Sequence, residues 1–132
     1  MRIEQAIFNR LSTFAGLTAL VGARIYPVRL PTRPDYPAIS YFRVSRAANR
    51  TFGGNTPSAS PRLQFDCWAK TYTGVKAIAD QVIAALEGFS GTLGGPGGVD
   101  VQAIYLENEM DSDFEDSADL YHTILEFTVW HA

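Results

Sequence analysis

The sequence has one cysteine, Cys67, so no disulfide can close within the chain, and its two histidines stand at no spacing that zinc sites use with that thiol. Cys67 falls on the apolar side of a predicted strand, which makes it an expected buried free thiol with no reactive role. No stretch approaches the ~18 consecutive apolar residues of a membrane span. The opening residues, MRIEQAIFNRL, carry Glu4, Gln5 and Asn9 where an export signal needs an unbroken apolar run, so no export is expected. The glycine-rich GTLGGPGG at 91–98 lacks the Gly-Lys-Ser/Thr ending and the GxGxxG spacing of a phosphate loop, and it precedes a strand instead of opening a helix. Gly88, Phe89, Ser90 and Gly91 approach a nucleophile elbow, but Thr92 stands where the last glycine is needed. His122 and His131 share one predicted strand and point to opposite faces, so they cannot serve one site; both are expected as partly exposed sheet residues. No catalytic constellation, metal site or cofactor site is expected.

Charge is scarce in a different sense: it is segregated. The 11 basic and 14 acidic side chains leave a net charge of −3, which offers no global attraction to nucleic acid or an anionic membrane. Yet Arg24, Arg29, Arg33, Arg43, Arg46, Arg50 and Arg62 all lie between positions 24 and 62, with Asp35 the one acid among them. Between 100 and 119 stand Asp100, Glu107, Glu109, Asp111, Asp113, Glu115, Asp116 and Asp119 with no basic residue. Asp111, Asp113 and Glu115 occupy positions 1, 3 and 5 of a calcium loop, but Asp116 replaces the required glycine and His122 the bidentate glutamate. A solvated acidic loop or a partner-facing patch is the expectation. The arginines interleave with Tyr26, Tyr36, Tyr41, Phe42 and Phe52, which admits a groove for single-stranded nucleic acid as the alternative function.

Periodicity defines the architecture. Leu63, Phe65, Cys67 and Ala69 alternate with Arg62, Gln64, Asp66 and Trp68, the pattern of a half-buried strand. Val75, Ile78, Ala79, Val82 and Leu86 then follow helical spacing, with Thr71 or Thr73 available as a cap and Gly88 beyond the end. Ile3, Ala6, Ile7, Leu11 and Phe14 form an earlier helical stripe, broken at Gly16 and followed by an apolar turn from Leu17 to Val21. Prolines 27, 31, 34 and 37 punctuate a connection with an edge strand near Arg24 to Tyr26. Strands are expected at 39–44, 101–106 and 121–131, and residues 45–61 read as a long loop whose glycine and serine content suits ordering on binding. At 132 residues the chain is expected to be one α+β domain, 1–132. The expected architecture is an antiparallel sheet of about four strands with two helices packed on one face.

Four phrases, ALVGARIYP at 19–27, YPAISYFRVS at 36–45, RLQFDCWAKTYTGVKAIADQVIAAL at 62–86 and LYHTILEFTVWH at 120–131, occur in an order that resembles the tail-completion, or tail-terminator, proteins of long-tailed bacteriophages and prophages. Asp66, Trp68 and Tyr72 are the most specific part of that resemblance. The resemblance implies a non-enzymatic virion subunit at the tail-head junction, made in the bacterial host cytoplasm. Such subunits join the tail tube protein to the head-completion or connector protein, often as a hexameric ring around a channel through which DNA passes without sequence-specific binding, and no membrane is involved. It leaves open whether the free protein is a monomer, and it defines no catalytic residues. From the charge pattern, Arg43, Arg46, Arg50, Phe52 and Arg62 are the candidate interface residues on one side, and Glu109, Asp111, Asp113, Glu115, Asp116 and Asp119 on the other. The acidic segment could equally line the channel or keep the free subunit soluble.

Overall fold

The computed structural model describes residues 2–49, 58–112 and 120–131, with side chains for all of these except 46–49, 58 and 59. The strand-to-helix switch forms as its periodicity requires. Strand β3 (Ser58–Ala69) buries Leu63, Phe65, Cys67 and Ala69, and helix α3 (Tyr72–Leu86) lays Val75, Ile78, Ala79, Val82, Ala85 and Leu86 over them. The Thr71 hydroxyl accepts the Gly74 N–H at 2.9 Å and so satisfies one of the helix's free donors. Past the helix end, Gly88 takes φ +75°, a region closed to most side chains, and its N–H donates to Ile104 O at 2.9 Å, tying α3 to strand β5 (Val99–Asp111). Helix α1 (Ile3–Ser12) buries Ile3, Ala6, Ile7 and Leu11 as predicted, whereas Phe14, the last residue of the expected stripe, falls beyond the helix end and packs half-buried against the core.

The sheet corrects the expectation of four antiparallel strands and two helices. Among the described residues it has six strands in the order β1-β2-β3-β6-β5-β4, is mixed, curls into a half-barrel, and carries three helices. The residues predicted as an apolar turn form helix α2 (Ala15–Val21), which buries Leu17 and Val21. Two turns are too short for periodicity to separate from a turn. Strand β1 (Ile25–Pro27) runs parallel to β2 (Ala38–Asn49), and this pairing makes the sheet mixed. Strand β4 (Gly91–Leu93) lies inside the glycine-rich stretch that reads as a plain connection. Three-residue strands hold no alternation to detect.

The predicted loop at 45–61 is also corrected. Residues 45–49 and 58–61 are paired strand, in register from Ser45 opposite Arg62 to Asn49 opposite Ser58, and only 50–57 lie outside the described residues. Local composition there favours loop, but the ladder continues because each residue has a partner across the hairpin. Strand β5 likewise runs on through the acidic sequence to Asp111, opposite Thr123 of β6 (Tyr121–His131). The core lies between the helices and one face of the sheet. Phe65 and Phe127 meet edge to face at 5.6 Å, and Tyr41 stacks on Phe65 at 6.2 Å. Cys67 is wholly buried there, and burial pushes its thiol well above its ordinary range, so the folded chain holds it as a neutral thiol.

Candidate docking surfaces

The ladder places the two charged regions at opposite ends of the strands. At one end of the ladder Asn49, the last residue of β2, pairs with Ser58, and Ala59 pairs with His131. At the other end Asp111, the last residue of β5, pairs with Thr123, and Thr123 with Cys67. Counting along β3 from Ser58 to Cys67, the two strand ends are separated by ~30 Å at the usual rise of a strand.

Each described candidate residue has a definite setting. Arg43 lies 3.2 Å from Glu4 of α1, and Arg62 lies 3.8 Å from Glu126 on the neighbouring strand. Arg46 stands on β2 opposite Pro61, and Glu109 stands on β5 opposite Leu125. Arg50, Phe52, Asp113, Glu115, Asp116 and Asp119 lie outside the described residues. Arg24 donates to Pro37 O at 2.8 Å, and Tyr41 is core. The arginine-rich stretch therefore spends part of its charge and its aromatic surface inside the subunit, which weakens the nucleic-acid reading. Among the described residues, no three His, Cys, Asp or Glu side chains are arranged to hold a metal ion, and no helix is long and apolar enough to cross a membrane.

Asp111 anchors the acidic end. Its carboxylate accepts from Lys76 Nζ of α3 at 2.6 Å and from the Thr123 hydroxyl at 2.9 Å. The bond from Lys76, then that from Thr123, hold the Asp111 carboxyl below its ordinary value of 3.8, and the same bond holds the Lys76 ammonium above 10.5. The signs differ between the partners. What Asp111 contributes is present above pH 3.8 and is lost as pH falls through its lowered folded value. What Lys76 contributes is present below pH 10.5 and is lost as pH rises through its raised value. Asp111 is exposed and Lys76 half-buried, so solvent screening keeps the gain in stability small. NMR titration of the Asp111 carboxyl should give a midpoint below 3.8, moving back toward that value in Lys76→Met. A midpoint at or above 3.8 in the unmodified chain would show that the pair does not persist in solution.

Three residues of the family-like phrase also acquire physical roles. On the helix-free face of the sheet, Trp68 stacks on His122 with ring centroids 3.7 Å apart and planes 8° from parallel. His122 Nε2 approaches Asp66 Oδ1 at 3.4 Å, and Gln64 donates to that same oxygen at 2.9 Å. Trp68 Nε1 and His122 Nε2 are buried without a hydrogen-bond partner among the described residues. Tyr72, at the first turn of α3, meets Tyr121 edge to face at 5.9 Å, closing the corner between helix and β6. Asp66, Trp68 and Tyr72 thus clasp β3 and α3 to β6. Alternation gives their faces, but only the β3–β6 register reveals that Trp68 lies directly opposite His122.

A surface absent from the sequence reading is a groove of about 470 Å³ between α1 and the β1–β2 edge, lined by Phe8, Pro27, Val28, Tyr41 and Phe42. Val28 is 68% exposed there and adopts φ +70°, a strained conformation for a β-branched residue, fixed by its N–H donating to Tyr41 O at 2.7 Å. Neither Phe8, which lies off the α1 stripe, nor Val28, amid prolines, carries a sequence signal for this pairing.

A solved structure described as "Virion of native gene transfer agent (GTA) particle" contains a chain of the same fold: TM-score 0.75 at 19% identity, covering 98% of this chain and 93% of that one. A comparison with curated protein sequences found no match. The family model described as "Tail completion protein gp17" matches residues 5–132, which include the strand-to-helix unit, the Trp68–His122 clasp and both charged ends. With that match running over nearly the whole sequence, the chain belongs to the tail completion protein gp17 family.

Proposed function

We propose that this structural component of a phage tail caps the tail tube and joins it to the head connector, acting by ordered binding as a ring around the DNA channel. The observation that carries this reading is the placement of an arginine-bearing hairpin and an acidic hairpin at opposite ends of one rigid sheet, in a chain of this family. A ring requires a heterologous interface, in which one patch of each subunit meets a different patch of the next. Opposite charges at opposite ends suit that requirement. Arg43, Arg46, Arg50, Phe52 and Arg62 form one docking region, and Glu109, Asp111, Asp113, Glu115, Asp116 and Asp119 the other. Exposed charge pairs contribute only about 0–1 kcal/mol each, so complementarity chiefly sets orientation and on-rate. Electron microscopy of the purified protein mixed with tail tubes tests the reading. A cap of defined rotational symmetry, six-fold by the family resemblance, is expected at one tube end; bare ends, or protein scattered along the tube wall, would refute it.

A further inference from the structure

Both edges of the sheet are covered over only part of their length. On one side β1 pairs with β2 from Ile39 to Tyr41, and among the described residues no strand continues that pairing from Arg43 to Asn49. On the other side β4 pairs with β5 from Val99 to Val101, Gly88 N–H caps Ile104 O, and the Glu87 carboxylate takes the Leu106 N–H. Among the described residues no strand follows on that side from Glu107 to Asp111. An open strand edge is a template for another strand, and natural proteins normally cover or blunt it.

The two open stretches match in three respects. They carry opposite charge, with Arg43 and Arg46 on β2 and Glu107, Glu109 and Asp111 on β5. They run in opposite directions, because β2, β3, β6 and β5 are successively antiparallel. They are also stepped. Arg46 is level with Pro61 of β3, whereas Glu109 is level with Phe65, through Leu125. That step of four residues amounts to ~13 Å along the strands, set against ~19 Å for the four strand spacings that carry one copy's β2 to the next copy's β2. Strands inclined by roughly 35° to a ring axis would bring the two stretches level, an inclination within the range that closed sheets adopt. In that alignment β1 and β4 lie beyond the paired stretch, one at each end.

We propose that neighbouring copies join edge to edge, residues 44–48 of β2 in one copy pairing antiparallel with residues 107–111 of β5 in the next, with Arg46 opposite Glu109. The half-barrels then become segments of one continuous closed sheet. This rests on the ring reading above and specifies its contact: main-chain pairing supplies the affinity, as in β-strand addition, and the charges fix register.

The test is disulfide trapping of the full chain assembled on tail tubes, with Ala47→Cys and Asn108→Cys in one chain. Antiparallel neighbours have Cα atoms about 4.5–5.5 Å apart, within disulfide reach. Ala48→Cys with Asn108→Cys covers a one-residue slip, and the wild-type chain is the control, since Cys67 is buried. Oxidation should give a denaturant-resistant ladder from dimer to the full ring, at least about tenfold above either single-cysteine variant. Rings visible by microscopy but untrapped by both pairs would overturn the edge contact while leaving the ring standing. Absence of rings from the wild-type protein would overturn both. Should the cysteine variants not assemble, charge exchange decides: Arg46→Glu should raise the assembly midpoint about fivefold or more, and adding Glu109→Arg should restore it. Equal assembly of all three chains would refute the pairing.

Discussion

Phe65→Ala is expected to remove most of the subunit's stability. Truncating a fully buried phenylalanine costs about 3–5 kcal/mol, through lost transfer energy plus the cavity that remains. A domain of this size has only about 5–15 kcal/mol in total. Phe65 is fully buried and joins three strands, stacking on Tyr41 of β2 and meeting Phe127 of β6 edge to face. The urea midpoint should fall with little change in slope. A loss below about 1.5 kcal/mol would show that the aromatic column is loosely packed, contrary to the behaviour of core sites of this kind.

Arg46→Glu combined with Arg50→Glu is expected to abolish the joining of tails to heads while leaving the fold unchanged. Reversing two charges turns attraction toward an acidic partner into repulsion, and like-charge contact across an interface costs several kcal/mol. Surface substitutions away from caps and buried networks usually change stability by no more than about 0.5 kcal/mol. Circular dichroism and the urea midpoint should therefore match the wild type as particle assembly fails. Joining at a normal rate would rule out a docking role for the arginine-bearing hairpin. For the wild type, the joining rate should fall as salt rises, since interactions between exposed charges are screened beyond ~8 Å at physiological ionic strength.

The elements that the sequence announced are those with enough length for a period to show. The stripe of α1 as far as Leu11, the alternation of β3, the stripe of α3 and the bounds of β6 appear as predicted. What stayed hidden was either too short or decided at a distance. β4 has three residues, and its strand character comes from the neighbour it pairs with, while β1 falls where an edge strand was expected but its parallel pairing with β2 has no sequence signal. The ends of β2 and β3 look like loop because serine, alanine and asparagine have little strand preference, yet the hairpin ladder holds them. The partners of the charged residues were hidden for the same reason. Glu4 and Arg43, or Lys76 and Asp111, are far apart in sequence, and only the packing of α1 and α3 on the sheet brings them together. The segregation of charge along the chain was plain from the residues. Its conversion into two ends of one rigid body required the register.

The clasp on the helix-free face has an optical consequence. The chain has two tryptophans, and both lie on that face: Trp68 packed on His122, and Trp130 opposite Ala103 and 38% exposed. The aromatic groups of the core between sheet and helices are phenylalanine and tyrosine. Indole emission therefore reports the bare side of the sheet and not its packed interior, with one fluorophore held against an imidazole and the other open to water. Any partner that covers the bare side will move the Trp130 signal toward the blue, so this chain carries a label-free probe on one specific face.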